Sequence, residues 1–142
     1  MAMYYFLFIL TVSLTVCAFS LTDTSVAQAP EDIAIIPIND EISLQRTIVL
    51  MNIPEDDKFP WGLVKGKPSD YVERYPVIIQ FFKEEEPVHV AQVNVKGDGS
   101  YEYKFRIRNI DSNTGQIINI FEGQYTVKIF KVIHNQDNTI SH

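Results

Sequence analysis

Residues 100–108 read Ser-Tyr-Glu-Tyr-Lys-Phe-Arg-Ile-Arg, and this stretch limits the fold more than any other in the chain. Tyr101, Tyr103, Phe105 and Ile107 alternate with Glu102, Lys104, Arg106 and Arg108. A period of two sends the apolar side chains to one face of a β-strand and the charges to the other. Such a strand needs a sheet with one face on a core and one in water, the usual condition of antiparallel sheets.

Other segments carry the same signature. Ile33 to Ile38 reads as a strand that Pro37 confines to a sheet edge. Asn39-Asp40-Glu41 is a turn. Thr47 to Ile53 is a stronger strand that Pro54 stops, and Glu55 to Lys58 is a solvated loop. Trp61 to Lys67 is a strand interrupted by Gly62 and Gly66. Pro76 to Phe82 has high β-propensity, Lys83 to Pro87 turns the chain, and Val88 to Val95 follows. Lys96-Gly97-Asp98-Gly99 reads as a hairpin loop that returns strand 100–108 beside its predecessor. Asn109 to Gly115 is a polar loop, Ile117 to Phe121 a short strand, and Gly123 to Ile133 a last strand with Tyr125, Val127 and Ile129 on one face. No window after the first residues shows a helical period. About seven or eight strands roughly ten residues apart predict an all-β antiparallel sandwich.

The first 22 residues carry no charged side chain, and Tyr4 to Phe19 is mostly apolar. Ser25-Val26-Ala27 is a small-x-small pattern that places a signal-peptide cut after Ala27. Cutting after Ala29 instead would leave Pro30 next. The n-region has no Lys or Arg. The competing expectation is an uncleaved membrane anchor, for which the run falls a little short of the roughly 20 residues a bilayer span needs. Cys17 is the only cysteine. It reads as apolar filler, because Val16 is too large for a lipoprotein box at Leu14-Thr15-Val16-Cys17. The expected division is a signal peptide or anchor over 1–27, a linker and edge strand over 28–45, one sandwich over 46–133, and a polar tail over 134–142.

A cut after Ala27 leaves no cysteine, so the core alone must hold the fold without disulfides. Beyond Ala27 there are 17 acidic against 12 basic residues, a balance of −5. Nucleic-acid binders need a basic stripe, so that class is excluded as an expectation.

Phe121-Glu122-Gly123-Gln124-Tyr125-Thr126-Val127 resembles the acidic-x-Gly-x-Tyr element that opens a late strand in immunoglobulin-like domains. Val64-Lys65-Gly66-Lys67, Tyr75 to Gln80, Val90-Ala91-Gln92-Val93 and Asp98-Gly99-Ser100-Tyr101 precede it in order. That succession, over residues 46–133, is similar to the immunoglobulin-like modules of archaeal secreted and cell-surface proteins. The resemblance implies a tyrosine corner at Tyr125 beside Gly123, a structural turn at Asp98 and Gly99, and a binding or structural role rather than catalysis. The chain departs from antibody domains in lacking the cysteine pair on which Trp61 would pack.

Sites for chemistry are sparse. His89, His134 and His142 are the only histidines, and no cysteine-methionine-histidine set for copper lies beyond residue 27. Asp111 and Asn113 carry side-chain oxygens at alternate positions as calcium loops do, yet Asp and Asn also form ordinary turns. Glu84-Glu85-Glu86 and Glu55-Asp56-Asp57 are adjacent carboxylates in turns, not a facing pair across a cleft. There is no Gly-x-Ser-x-Gly elbow and no phosphate-cradling loop. No cofactor is expected. Phe81 and Phe82 must point to opposite faces, as must Ile129 and Phe130. Phe81, Phe82, Phe130 and Trp61 are therefore the candidate binding aromatics. The sequence thus predicts an exported, non-enzymatic envelope or extracellular module that docks a protein partner, such as a surface layer. The alternatives are a carbohydrate-binding module and a membrane-anchored accessory subunit, with the membrane reached only through the N-terminal segment.

Overall fold

The computed structural model describes residues 25–26, 32–56 and 59–136. The apolar N-terminal run, the expected cut after Ala27 and the tail from residue 137 with His142 lie outside the described residues.

Ten strands make up the described chain: β1 (Ser25–Val26), β2 (Asp32–Pro37), β3 (Ile42–Ile53), β4 (Trp61–Gly66), β5 (Val77–Lys83), β6 (Glu86–Val93), β7 (Tyr101–Arg106), β8 (Arg108–Ile110), β9 (Ile117–Asn119) and β10 (Gly123–His134). The described residues contain no helix and are all-β. Five strands form one sheet in the order β2-β3-β10-β5-β6, three form a second in the order β1-β4-β7, and β8 pairs with β9 alone. Every pairing is antiparallel except β1 with β4.

The two larger sheets share one core. Val49, Met51 and Ile53 of β3, Val77, Ile79 and Phe81 of β5, and Tyr125, Val127 and Ile129 of β10 come from the first sheet. Val64 of β4 and Tyr101 and Phe105 of β7 come from the second, with Ile107 and Phe121 from the connections. The odd-numbered residues of β10 meet the odd-numbered residues of β3 across the ladder, Val127 opposite Val49 and Tyr125 opposite Met51. Two period-two patterns in register thus give one dry face.

The glycines of β4 exist for their neighbours. Gly62 pairs with Phe105 and Gly66 with Tyr101. Each aromatic ring lies across the bare backbone opposite it. A Cβ at Gly62 would sit 2.4 Å from Phe105 Cζ, and one at Gly66 would sit 2.1 Å from Tyr101 Cε1.

Several expectations are corrected. β3 starts at Ile42 rather than Thr47, because Ser43, Gln45 and Arg46 break the apolar run without breaking the ladder to β10. Ser43 is buried and its hydroxyl meets Asn135 Oδ1. The turn at Lys96 to Gly99 is tight, with the Gly99 N–H donating to the Lys96 carbonyl at 2.9 Å, but it closes no hairpin. β6 belongs to the five-stranded sheet and β7 pairs with β4, so this turn carries the chain from one sheet to the other. The polar loop expected over residues 109–115 gives its first two residues, Asn109 and Ile110, to β8, which pairs with β9. Arg108 is buried rather than solvated. β7 stops at Arg106, and the Ile107 N–H turns to the Pro60 carbonyl at 2.7 Å. The break in pleat lets Ile107 and Arg108 both face inward. The Arg108 guanidinium then donates to the carbonyls of Phe59, at 3.0 Å, and Pro54. A buried cation needs such acceptors, and the planar guanidinium reaches two at once.

Candidate functional site

β6 and β7 are edge strands. β6 pairs only with β5, and β7 only with β4, among the described residues. On this side of the protein the two sheets part, and a cleft of about 680 Å³ opens between them. A β-bulge in the β5–β6 ladder pairs Phe81 with His89 and Phe82 with Pro87, leaving Val88 unopposed. Bulges re-aim side chains at sheet edges. Here His89 turns inward with Phe81, while Val88 stays exposed at the rim.

His89 Nε2 and Tyr103 Oη lie 2.7 Å apart, a hydrogen bond that spans from one sheet to the other. Around it the rings form a cluster. Phe81 meets Phe105 edge-on at 5.0 Å between centroids and His89 at 5.3 Å, while Phe105 meets Phe121 at 5.2 Å. Pairs of this geometry each contribute about 0.5–1.5 kcal/mol beyond the area they bury. Burial raises the Tyr103 hydroxyl above its ordinary pKa.

Three cations rim the cleft. Lys104 Nζ stands 4.6 Å above the Trp61 ring, and Arg106 Cζ stands 5.0 Å from it. Trp61 opposes Arg106 in the ladder, so all three side chains share the outer face of the smaller sheet. Lys83 Nζ donates to the Glu122 carbonyl at 2.8 Å and lies 5.2 Å over the Tyr125 ring. Among the described residues the ion pairs are Arg46 with Asp32 and His134 with Asp70, so none of these three cations is matched by a carboxylate. Among the described residues no carboxylate lines the cleft.

The candidate aromatics separate. Phe81 is fully buried at the centre of the ring cluster and is a core residue, not a contact residue. Phe82 and Phe130 are half-buried on the outer face of the five-stranded sheet, beside Ile78 and Leu50, with Lys128 Nζ 4.5 Å over Phe82. Trp61 alone joins the cleft. The structure brings His89, Lys83, Lys104 and Arg106 to it as well. Nothing local in the sequence marks their meeting, because Trp61, Lys83, His89 and the two β7 cations come from four strands of two sheets. The alternation of 100–108 did place Lys104 and Arg106 on one face.

The turn residues hold local structure. The Glu122 N–H donates to Tyr125 Oη at 2.9 Å, and Gly123 has a φ of +83°. Asp98 Oδ1 accepts from the Ser100 hydroxyl at 2.6 Å and from its N–H at 2.9 Å. The Ser100 side-chain bond, then the backbone bond, holds the Asp98 carboxyl below its usual range. Gly99 has a φ of +86° and packs so closely that a Cβ would fall 1.7 Å from the Ser69 carbonyl oxygen. The same turn is clasped by Lys131, which is buried and donates to the Gly99 carbonyl at 2.8 Å and to Ser69 Oγ at 2.5 Å. Asp111 Oδ1 accepts from the N–H groups of Asn113, at 2.8 Å, and Thr114, at 3.3 Å, so it caps its own turn. The described residues contain no group of three or more His, Cys, Asp or Glu side chains that could hold a metal ion.

No family model, curated protein or solved structure matches the chain.

Proposed function

We propose that this chain is a non-enzymatic β-sandwich module of the cell envelope or extracellular space, and that it binds a protein on the side where β6 and β7 part. The observation that carries this reading is the set of unmatched cations around an aromatic cleft. In a chain with a net charge of −6, acidic residues are abundant, yet among the described residues none pairs with Lys83, Lys104 or Arg106. Positive groups set among rings and without a carboxylate partner are what a segment with apolar and acidic groups would meet. A binding role also agrees with the lining: among the described residues His89 bonds to Tyr103 and has no carboxylate beside it in the cleft to complete an acid–base pair.

A glycan fits less well. Sugar stacking needs open ring faces, whereas Lys104 and Arg106 stand over Trp61 and Phe105 is buried. The kinship with immunoglobulin-like modules is part of the proposal. The Tyr125 hydroxyl contact just after Glu122 and the left-handed Gly123 support it.

One observation favours the anchored reading over cleavage after Ala27. Ser25 and Val26 pair with Gly62 and Leu63 in the smaller sheet, so that cut would remove β1. N-terminal sequencing of the native protein separates the two: a start at Gln28 excludes the anchor. The binding reading is tested by placing a photo-crosslinking residue at Val88, on the cleft rim, or at Glu73, at the opposite end of β10. In intact cells the Val88 position should capture one defined protein and the Glu73 position none. Equal capture from both positions, or none from either, overturns it.

A further inference from the structure

The free edge of β7 lies beside the cleft, and resting on the binding reading above, we propose that the partner enters as an extended strand added to that edge. Only β4 pairs with β7 among the described residues. Alternate residues of an edge strand aim their N–H and C=O groups away from the sheet, ready for another strand. Strand addition takes affinity from these groups and specificity from alternate side-chain positions.

The side-chain pattern of β7 specifies the chemistry of the incoming segment. Glu102, Lys104 and Arg106 project on the outer face at alternate positions, and among the described residues the two cations carry no ion pair. Residues directly opposite on adjacent strands stand about 4.5–5.5 Å apart at Cβ, so the added strand meets each cation with one residue. Those two residues are carboxylates. The residues between and beside them turn inward against Tyr103 and Phe105, where Phe121 and the half-exposed Val88 and Ile120 complete an apolar wall. The segment therefore alternates apolar and acidic residues.

Other occupants fit poorly. A second copy fits less well: two β7 edges paired antiparallel about Tyr103 would set Glu102 against Lys104 but leave each Arg106 opposite Ser100, and paired about Lys104 they would oppose Lys104 to itself. The first 22 residues of this chain have no charged side chain to offer Lys104 and Arg106. The facing edge of β6 is blunted by Glu86, Pro87 and the bulge at Val88, which directs an incoming strand to β7.

The test uses the isotope-labelled full-length chain in neutral detergent and the capped peptide Val-Glu-Val-Glu-Phe-Thr-Val, whose threonine falls opposite Glu102. The amide signals of Tyr101 to Arg106 should shift and gain exchange protection as peptide is added. The same peptide with Lys for Glu should not bind, and neither should one N-methylated at alternate backbone amides. Charge reversal in Lys104→Glu/Arg106→Glu should weaken binding about tenfold or more. Lys104→Gln/Arg106→Gln should weaken it by less, which covers any loss of fold in the reversed protein. Equal binding of the N-methylated peptide, equal binding of the Lys peptide, shifts confined to β6, or no shift at millimolar peptide each overturns strand addition. Capture of a protein from Val88 in cells alongside any of these results would leave the binding reading standing and remove only this mode. Absence of both removes both.

Discussion

Gly62→Ala should destabilise the protein although alanine is the better strand residue. The added Cβ would lie 2.4 Å from Phe105 Cζ and 2.8 Å from both Cε atoms. Ordinary carbon contacts are about 3.5–4.0 Å, so the ring must retreat by about 1 Å or more. It has little room to do so. Phe105 is 4% exposed, with the rings of Phe81 at 5.0 Å and Phe121 at 5.2 Å. Overpacking of this kind costs about 1–3 kcal/mol, and the relief of glycine's backbone entropy returns about 0.5–1 kcal/mol. The net loss is about 1–2 kcal/mol, or roughly 5–15 °C in the melting temperature of a domain this size. Urea titration followed by tryptophan fluorescence reads it, since Trp61 precedes the substituted residue. A smaller ring replacement, Phe105→Leu, should relieve the clash. The double variant should then be more stable than the sum of the single losses by about 1 kcal/mol. Gly97→Ala, with no atom within 4 Å of its added Cβ, is the control and should change little. Gly62→Ala at or above the stability of the unsubstituted protein, or strict additivity with Phe105→Leu, would refute the packing argument.

Four further outcomes follow from the same geometry. Glu84 and Glu85 occupy a two-residue hairpin turn at φ of +51° and +69°, so Glu84→Asn/Glu85→Gly should raise stability by about 1–2 kcal/mol, read as a higher urea midpoint. Lys131→Met keeps bulk but strands Ser69 Oγ and the Gly99 carbonyl, and should cost about 1–3 kcal/mol by the same titration. Tyr125→Phe removes the acceptor of the Glu122 N–H and should cost about 0.5–1.5 kcal/mol. The hydrogen bond from His134 holds the Asp70 carboxyl below its usual 3.8. A depressed carboxylate contributes stability above its unfolded pKa and loses it as pH falls through the folded value. Asp70 is more than half exposed, so the effect stays under about 1 kcal/mol, and Asp70→Asn should flatten the acid limb of a pH–stability curve by that small amount.

What the sequence revealed and concealed divides along a physical line. The alternation in 100–108 and the odd-numbered face of β10 came through because period-two burial is a local property of a strand. Pro37 marked an edge strand because a missing N–H tells against a central ladder position. Pairing did not come through in the same way. Asp98-Gly99 is good turn chemistry whether the next strand returns to its neighbour or crosses to the other sheet, and only the core decides between them. Arg108 followed the alternation in sequence but not in space, because the pleat breaks after Arg106 when the Ile107 N–H bonds Pro60. Lys131 sits on the inward face of β10, where no simple pattern expects a lysine, and its partners belong to loops far along the chain. The cleft was hidden for the same reason. His89 and Tyr103 meet only after a bulge turns His89 inward and two sheets close.

That meeting is also where the account is most exposed. In a nuclear Overhauser spectrum of the full-length chain, ring protons of His89 should show cross-peaks to the Tyr103 ring, and Phe81 to Phe105, each pair joining the five-stranded sheet to the smaller one. If those cross-peaks are absent while the strand ladders are intact, the sheets do not close over a common core, and the cleft argued from their closure does not exist.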